Sequence, residues 1–211
     1  MDIKHFGHSA FQLDNLVIDP FLSGNPLCED KAEEVSCDIV ALTHDHDDHL
    51  GDTWEIATRN KATLVAMYEL AGIGEAKGIK SEGMNIGGSV QVGDWRIKMT
   101  PAWHSSTLGN PAGFVFSHVS GMKVYHAGDT ALFSDMKLIG DMGIDVAIVP
   151  IGDRFTMGVE DAARAVELLR PKKVIPCHYN TFPLIDADPA KFTELCNCEV
   201  LVMHPGDKIS L

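Results

Sequence analysis

The chain has 211 residues, 45% of them hydrophobic, enough for one domain with a large core and too few for more than two small ones. Its net charge of −13 argues against a broad phosphate-binding surface, so no extended nucleic-acid interface is expected. No stretch approaches the ~18 apolar residues of a membrane span, and the start Met1-Asp2-Ile3-Lys4-His5 lacks an apolar signal segment, so a cytoplasmic chain with reduced thiols is expected.

In chain order, Phe11-Gln12-Leu13 and Leu16-Val17-Ile18 read as strands parted by an Asp14-Asn15 turn, with His8-Ser9 in a loop between two short strands. Cys37–Leu42 is a short apolar run and reads as a buried strand. Gly51 and Asp52 open a polar segment, followed by helical patches at Trp54–Arg59 and Tyr68–Ala76. Leu64–Met67, Val90–Val92, Trp95–Met99 and Phe114–Phe116 read as strands, with turns supplied by Gly87-Gly88 and Gly93-Asp94. Lys123–His126 is a further strand, then a helix-like Leu132–Ile139 and the apolar strand Asp145–Ile151. Val159–Leu169 carries Ala162, Ala163, Val166 and Leu169 at helical spacing, opposite Arg164, Glu167 and Arg170. Val174–Cys177 reads as a strand, Pro189–Cys196 as a helix and Val200–Met203 as a strand. The pattern predicts one α/β domain over residues 1–211, built of two similar halves.

The heptapeptide Thr43-His44-Asp45-His46-Asp47-Asp48-His49 packs three imidazoles and three carboxylates into one loop after a strand. Both groups are ligands for Zn²⁺, Mn²⁺, Fe or Ni²⁺, with zinc the first expectation. His44, His46 and Asp48 share a parity that His49 breaks, so a tight loop can aim His44 and His46 at one ion and Asp48 and His49 at a second. His104, Asp129 and His178 each follow an apolar strand, and strand ends can converge at one edge of a layered sheet. His44, His46 and His104 then give a three-imidazole site, Asp48, His49 and His178 a mixed one, and Asp129 the bridge. Two divalent ions so held would lower the pKa of a bridging water and make it a nucleophile, with Asp48 also orienting the resulting hydroxide. The five cysteines (Cys28, Cys37, Cys177, Cys196, Cys198) show no zinc-finger or CxxC spacing; Cys196-x-Cys198 is read as two half-buried thiols near a helix end.

His44-x-His46-x-Asp48-His49, followed by His104, Asp129 and His178, resembles the metallo-β-lactamase fold superfamily. The resemblance implies a four-layer αββα sandwich of two mixed β-sheets, with those seven residues as metal ligands at the sheet edges. Gly7-His8-Ser9-Ala10-Phe11, Ile18-Asp19-Pro20-Phe21, His126-Ala127-Gly128-Asp129-Thr130 and His178-Tyr179-Asn180-Thr181-Phe182-Pro183 are similar to compact metal-dependent hydrolases related to L-ascorbate-6-phosphate lactonase. More distantly they are similar to N-acyl-phosphatidylethanolamine phospholipase D. This implies hydrolysis of an ester, lactone or phosphoester of a small molecule. The alternatives are phosphodiesterase or nuclease activity, or a di-iron redox role, which retention of His46 and His104 and the lack of a flavin domain disfavour.

The resemblance places His8 at the mouth of the site, as a proton donor or a holder of a substrate oxygen; the alternative is a loop histidine bonded to backbone. Asp19 is expected to orient a ligand histidine or a turn. Asn180 and Thr181 reach the same opening as neutral donors, Arg154 is the candidate for an anionic substrate group, and the loop with Thr156 and Met157 forms a rim. Tyr179 and Phe182 wall the pocket or pack into the core. Asp45 and Asp47 are read as exposed or helix-capping. His5, His118, His126 and His204 are read as structural or surface residues, with His126 either in the core or supporting a ligand. Homo-oligomerisation is left open.

Overall fold

The computed structural model describes residues 1–211. A first sheet is built from β1 (Asp2–Gly7), β2 (Ala10–Leu13), β3 (Leu16–Ile18), β4 (Ile39–Ala41), β5 (Thr63–Met67) and β6 (Ser81–Met84), with β3, β4 and β5 buried at every residue because both faces are covered. Between these strands lie α1 (Asp47–Leu50), α2 (Thr53–Asn60) and α3 (Tyr68–Ala76). The second sheet holds β7 (Ser89–Val92), β8 (Trp95–Pro101), β9 (Ala112–His118), β10 (Lys123–His126), β11 (Val146–Pro150), β12 (Lys173–Cys177) and β13 (Glu199–Val200). Its helices are α4 (Met136–Gly140), α5 (Val159–Leu169) and α6 (Pro189–Leu195), and β14 (Lys208–Ser210) returns to the first sheet beside β1.

The two sheets repeat one topology. Their orders are β14-β1-β2-β3-β4-β5-β6 and β7-β8-β9-β10-β11-β12-β13, and in each the first four strands pair antiparallel and the last four parallel. The second, fourth, fifth and sixth strands of each sheet therefore run the same way, and their carboxyl ends share an edge. The two-halves expectation and the αββα sandwich both hold.

Strand periodicity sorts the side chains into layers. Phe114, Phe116, Val124, Val146 and Ile148 join the first sheet in one core, whereas Val115, Tyr125, Ala147 and Val149 face α4, α5 and α6. The expected face of α5 is buried, while Arg164, Glu167 and Arg170 are exposed. On the other side, α2 packs on β4 and α3 on β5 and β6.

Four elements depart from expectation. The helix expected from Leu132 begins at Met136, because Ala131 donates to the Trp103 carbonyl at 3.0 Å and holds the chain extended before the turn. The strand expected over Val200–Met203 stops at Val200; Met203 turns inward and its carbonyl meets His5 Nδ1 at 3.2 Å. Strands β6 and β14 have no counterpart among the expected elements, and the strand expected before His8 is β1, whose bounds the sequence pattern leaves open. In β1 the buried His5, stacked on Phe11 at 4.4 Å, breaks the apolar alternation. No helix is long and apolar enough to cross a membrane.

Candidate metal centre

His8 follows β1, Asp19 follows β3, and His44 to His49 follow β4; in the second sheet His104 follows β8, Asp129 follows β10, and His178 follows β12. All six positions thus stand beyond carboxyl ends that point the same way. Two tight turns bring the first-sheet loop into place. Gly51 has φ +37°, and a Cβ there would lie 2.5 Å from the Pro20 carbonyl oxygen. Gly128 has φ +61°, and its Cβ would lie 2.6 Å from the Ala112 carbonyl oxygen and 3.2 Å from Thr43, so glycine lets the Asp129 turn rest on the histidine loop.

Asp19 organises this loop from below. Fully buried, it accepts from the Thr43 amide at 2.8 Å, the Thr43 hydroxyl at 2.6 Å and His49 Nδ1 at 2.8 Å. The Thr43 hydroxyl, having donated to Asp19, accepts from His44 Nδ1 at 3.0 Å. Ring orientation follows: His44 and His49 each turn Nδ1–H to this support and Nε2 to the centre, and on the neutral His44 that Nε2 is bare.

The inward atoms form the two groups expected. His44 Nε2 lies 2.9 Å and His104 Nε2 3.3 Å from His46 Nδ1. Tetrahedral zinc with bonds of about 2.0–2.1 Å spaces its ligand nitrogens by about 3.3 Å. Asp48, His49 and His178 form the second group, which also includes His8. Asp129 stands between the groups: Oδ1 is 3.2 Å from His49 Nε2, and Oδ2 is 3.1 Å from His178 Nε2 and 3.5 Å from His104 Nε2. The buried His49 Nε2 and Asp129 Oδ1 have no hydrogen-bond partner. Buried polar atoms seldom go unpaired, and these two belong to the clustered ligand atoms, so the residues fit bound metal.

Electrostatics agree with that fit. Burial, reinforced by neighbouring His49, pushes His44 down to about 2, so it is the neutral, ligating imidazole. Burial also lowers His104, with Asp129 opposing. Burial acts the same way on His49 but is outweighed by Asp129 and Asp19, which raise it well above the ordinary histidine value. Without metal, a proton on His49 thus occupies the place between carboxylates that a cation would take. Burial opposes ionisation of Asp129 too, yet His178 and His49 hold it well below the usual carboxylate range. Asp48 is likewise depressed against burial, by the His8 hydrogen bond and by His49.

The remaining candidates are placed as follows. The His8 side chain is fully buried, with Nε2 3.2 Å from Asp48 Oδ2 and Nδ1 2.9 Å from the Thr181 hydroxyl. Thr181 is thus buried behind His8, whereas Asn180 is exposed and its Oδ1 accepts from the Ala187 amide at 2.8 Å. Arg154 is exposed, its guanidinium 5.7 Å from the Phe155 ring. Met157 does not form a rim: it is buried in the helix-side core, and its amide donates to the Thr130 carbonyl. Phe182 stands edge-on to His8 at 5.7 Å, and Tyr179 is half-buried against the helix-side core. A cavity of about 270 Å³ opens beside Tyr179 and Asn180, with His5 and His8 among its walls.

Asp45 corrects the capping expectation. It accepts from the Ser106 hydroxyl at 2.7 Å and the Thr107 amide at 2.8 Å, tying the His104 loop to the histidine loop. Asp47 opens α1 without a side-chain cap at that helix. His126 supports the site: its Nδ1 accepts from the Gly128 amide and its Nε2 meets the Ser9 carbonyl, both at 3.1 Å. Thr43 was missed as an organiser, since a threonine before the motif carries no spacing signal of its own. All five cysteines are free.

Residues 14–179 match the family model of the beta-lactamase superfamily domain. The chain belongs to this superfamily. Among its relatives, a UPF0173 metal-dependent hydrolase of Pelotomaculum thermopropionicum is 47% identical over 229 aligned positions, covering 100% of each chain. The solved structure of Igni18, a metallo hydrolase of the archaeon Ignicoccus hospitalis, superposes with a TM-score of 0.92 at 40% identity, covering 99% of this chain and 97% of that one. The metallo-beta-lactamase fold protein YhfI of Bacillus subtilis shares the superfamily fold, with a TM-score of 0.73 at 15% identity over 99% of each chain.

Proposed function

We propose that the chain is a metal-dependent hydrolase that holds two divalent ions and acts on an ester, lactone or phosphoester of a small molecule. The observation that carries this reading is Asp129, whose two oxygens face both ligand groups while its Oδ1 is otherwise unpaired. His44, His46 and His104 would hold one ion and Asp48, His49 and His178 the other, with Asp129 between the two groups. Zinc suits this donor set first, with manganese, iron and nickel as the other candidates. Bound there, two such ions supply an activated water and polarise the oxygen of the electrophile.

The chain's own residues prepare that chemistry. Asp19 and Thr43 hold the His44 and His49 rings with Nε2 toward the centre before any ion arrives, His44 already in its ligating tautomer and His49 giving up its second proton on binding. Asp48, with a side chain one-third exposed at 33%, faces the opening and orients the attacking water. Asn180 offers a neutral donor at the opening, and Arg154 takes an anionic substrate group. Ligands drawn from both sheets make residues 1–211 one working domain. Similarity over Gly7–Phe11 and His178–Pro183 to the lactonase branch favours esters and lactones over phosphodiesters.

Elemental analysis of protein purified without added metal, followed by a screen of p-nitrophenyl esters, lactones and bis-p-nitrophenyl phosphate, tests the reading. Metal-dependent turnover of an ester or lactone is expected. A metal-loaded protein inert to hydrolysable probes but able to reduce dioxygen would overturn it in favour of redox chemistry.

A further inference from the structure

Three carboxylates organise the centre, and they are not equally fixed. Asp19 and Asp129 are buried and held by packing and neighbouring groups. The Asp48 side chain is 33% exposed and sits on α1, a helix of only four residues. One short helical turn restrains a side chain weakly. The contacts that fix this carboxylate come from across the fold: His8 Nε2 at 3.2 Å from Oδ2, with His178 Nε2 beyond at 3.9 Å.

His8 is itself fixed at every polar atom of its ring. An ionised carboxylate only accepts, so the proton on His8 lies on Nε2 and Nδ1 accepts from the Thr181 hydroxyl at 2.9 Å. The carbonyl of His8 accepts from the His178 amide at 3.0 Å, joining the backbones of the two loops. The ring is fully buried, with edge contacts to Phe21 at 5.9 Å and Phe182 at 5.7 Å. A fully buried ring with both nitrogens engaged has no free face for a leaving group, which weighs against the proton-donor expectation.

We infer that Thr181, His8 and Asp48 form a positioning chain in which Thr181 sets the His8 ring and His8 holds the Asp48 carboxylate in its working orientation. The inference rests on the hydrolase reading above and gives His8 and Thr181 roles exerted through Asp48. Neither residue is a metal ligand or a group that touches substrate.

Backbone geometry dictates the variants. His8 has φ +56°, which asparagine adopts readily and alanine or glutamine less so; melting temperatures are therefore recorded for every variant, and turnover is compared between folded proteins. His8→Asn keeps a polar atom near the Nδ1 position and drops the contact with Asp48; His8→Gln carries an amide donor near the Nε2 position and keeps it. Thr181→Val removes only the hydroxyl. Each protein is loaded with Co²⁺, and bound ions are counted by elemental analysis. The visible spectrum then reports ligand geometry, and turnover of p-nitrophenyl acetate is split into kcat and KM.

His8→Asn is expected to keep two ions and an unchanged KM, with an altered cobalt spectrum and kcat lowered about 10²-fold, the cost of a misplaced group. His8→Gln should restore the spectrum and recover kcat to within about tenfold of wild type, and Thr181→Val should fall between the two variants. Loss of one ion from His8→Asn would overturn the inference by making His8 a ligand. So would wild-type turnover and spectrum in His8→Asn, or a His8→Gln protein no better than His8→Asn. A wild-type chain that takes up no ion would remove the hydrolase reading and this inference with it.

Discussion

Replacing Asp19 by asparagine isolates the support of one ligand. The side chain is nearly isosteric, and φ at Asp19 is +44°, a region asparagine tolerates, so the backbone is not the source of any effect. Asp19 now accepts three hydrogen bonds, two of them on Oδ2, from the Thr43 hydroxyl at 2.6 Å and His49 Nδ1 at 2.8 Å. An amide NH₂ at the Oδ2 position would oppose both donors. His49 relieves the clash by moving its proton to Nε2, and a protonated Nε2 cannot ligate. Loss of such a support typically weakens metal affinity 10–100-fold, or about 1.4–2.7 kcal/mol. Competition between a chelating dye and the folded variant, titrated with Zn²⁺, reads both site affinities. One site should weaken by that factor while the His44, His46 and His104 site changes less. A folded Asp19→Asn protein that holds both ions with wild-type affinity would refute the tautomer reasoning.

Asp129→Ala removes the carboxylate that faces both ligand groups, so elemental analysis should find one site poorly filled and hydrolysis should fall by about 10³-fold or more. Normal occupancy would show that Asp129 does not bridge. Gly128→Ala forces a Cβ to within 2.6 Å of the Ala112 carbonyl oxygen at φ +61°, at a cost of about 2–4 kcal/mol, or a melting temperature lower by roughly 5–15 °C. An unshifted melting curve would mean the turn relaxes freely.

The metal motif was legible because ligand chemistry is concentrated there. No other role calls for three imidazoles and three carboxylates in seven residues, and each further ligand followed an apolar strand. Helix α5 was legible through its apolar period, and the repeated halves through the spacing of buried strands. What stayed hidden depends on contacts across the fold. The link from Thr181 to His8 spans 173 positions, and the Asp45 bond to Ser106 spans 61, so neither leaves a local pattern. The bounds of β1 were obscured because His5 is buried by stacking on Phe11, which no periodicity scale rewards. Met157, in a polar loop, is buried because its amide is drawn to the Thr130 carbonyl under the Asp129 turn.

The central claim is a centre for two ions, and counting them tests it most directly. Protein stripped with a chelator and reloaded with Zn²⁺ should take up about two ions per chain by elemental analysis. Hydrolysis and thermal stability should return together, because ions bound only by the folded chain stabilise it. A chain that regains full hydrolytic activity with one ion bound, or that hydrolyses its substrate equally well when stripped, would contradict the account.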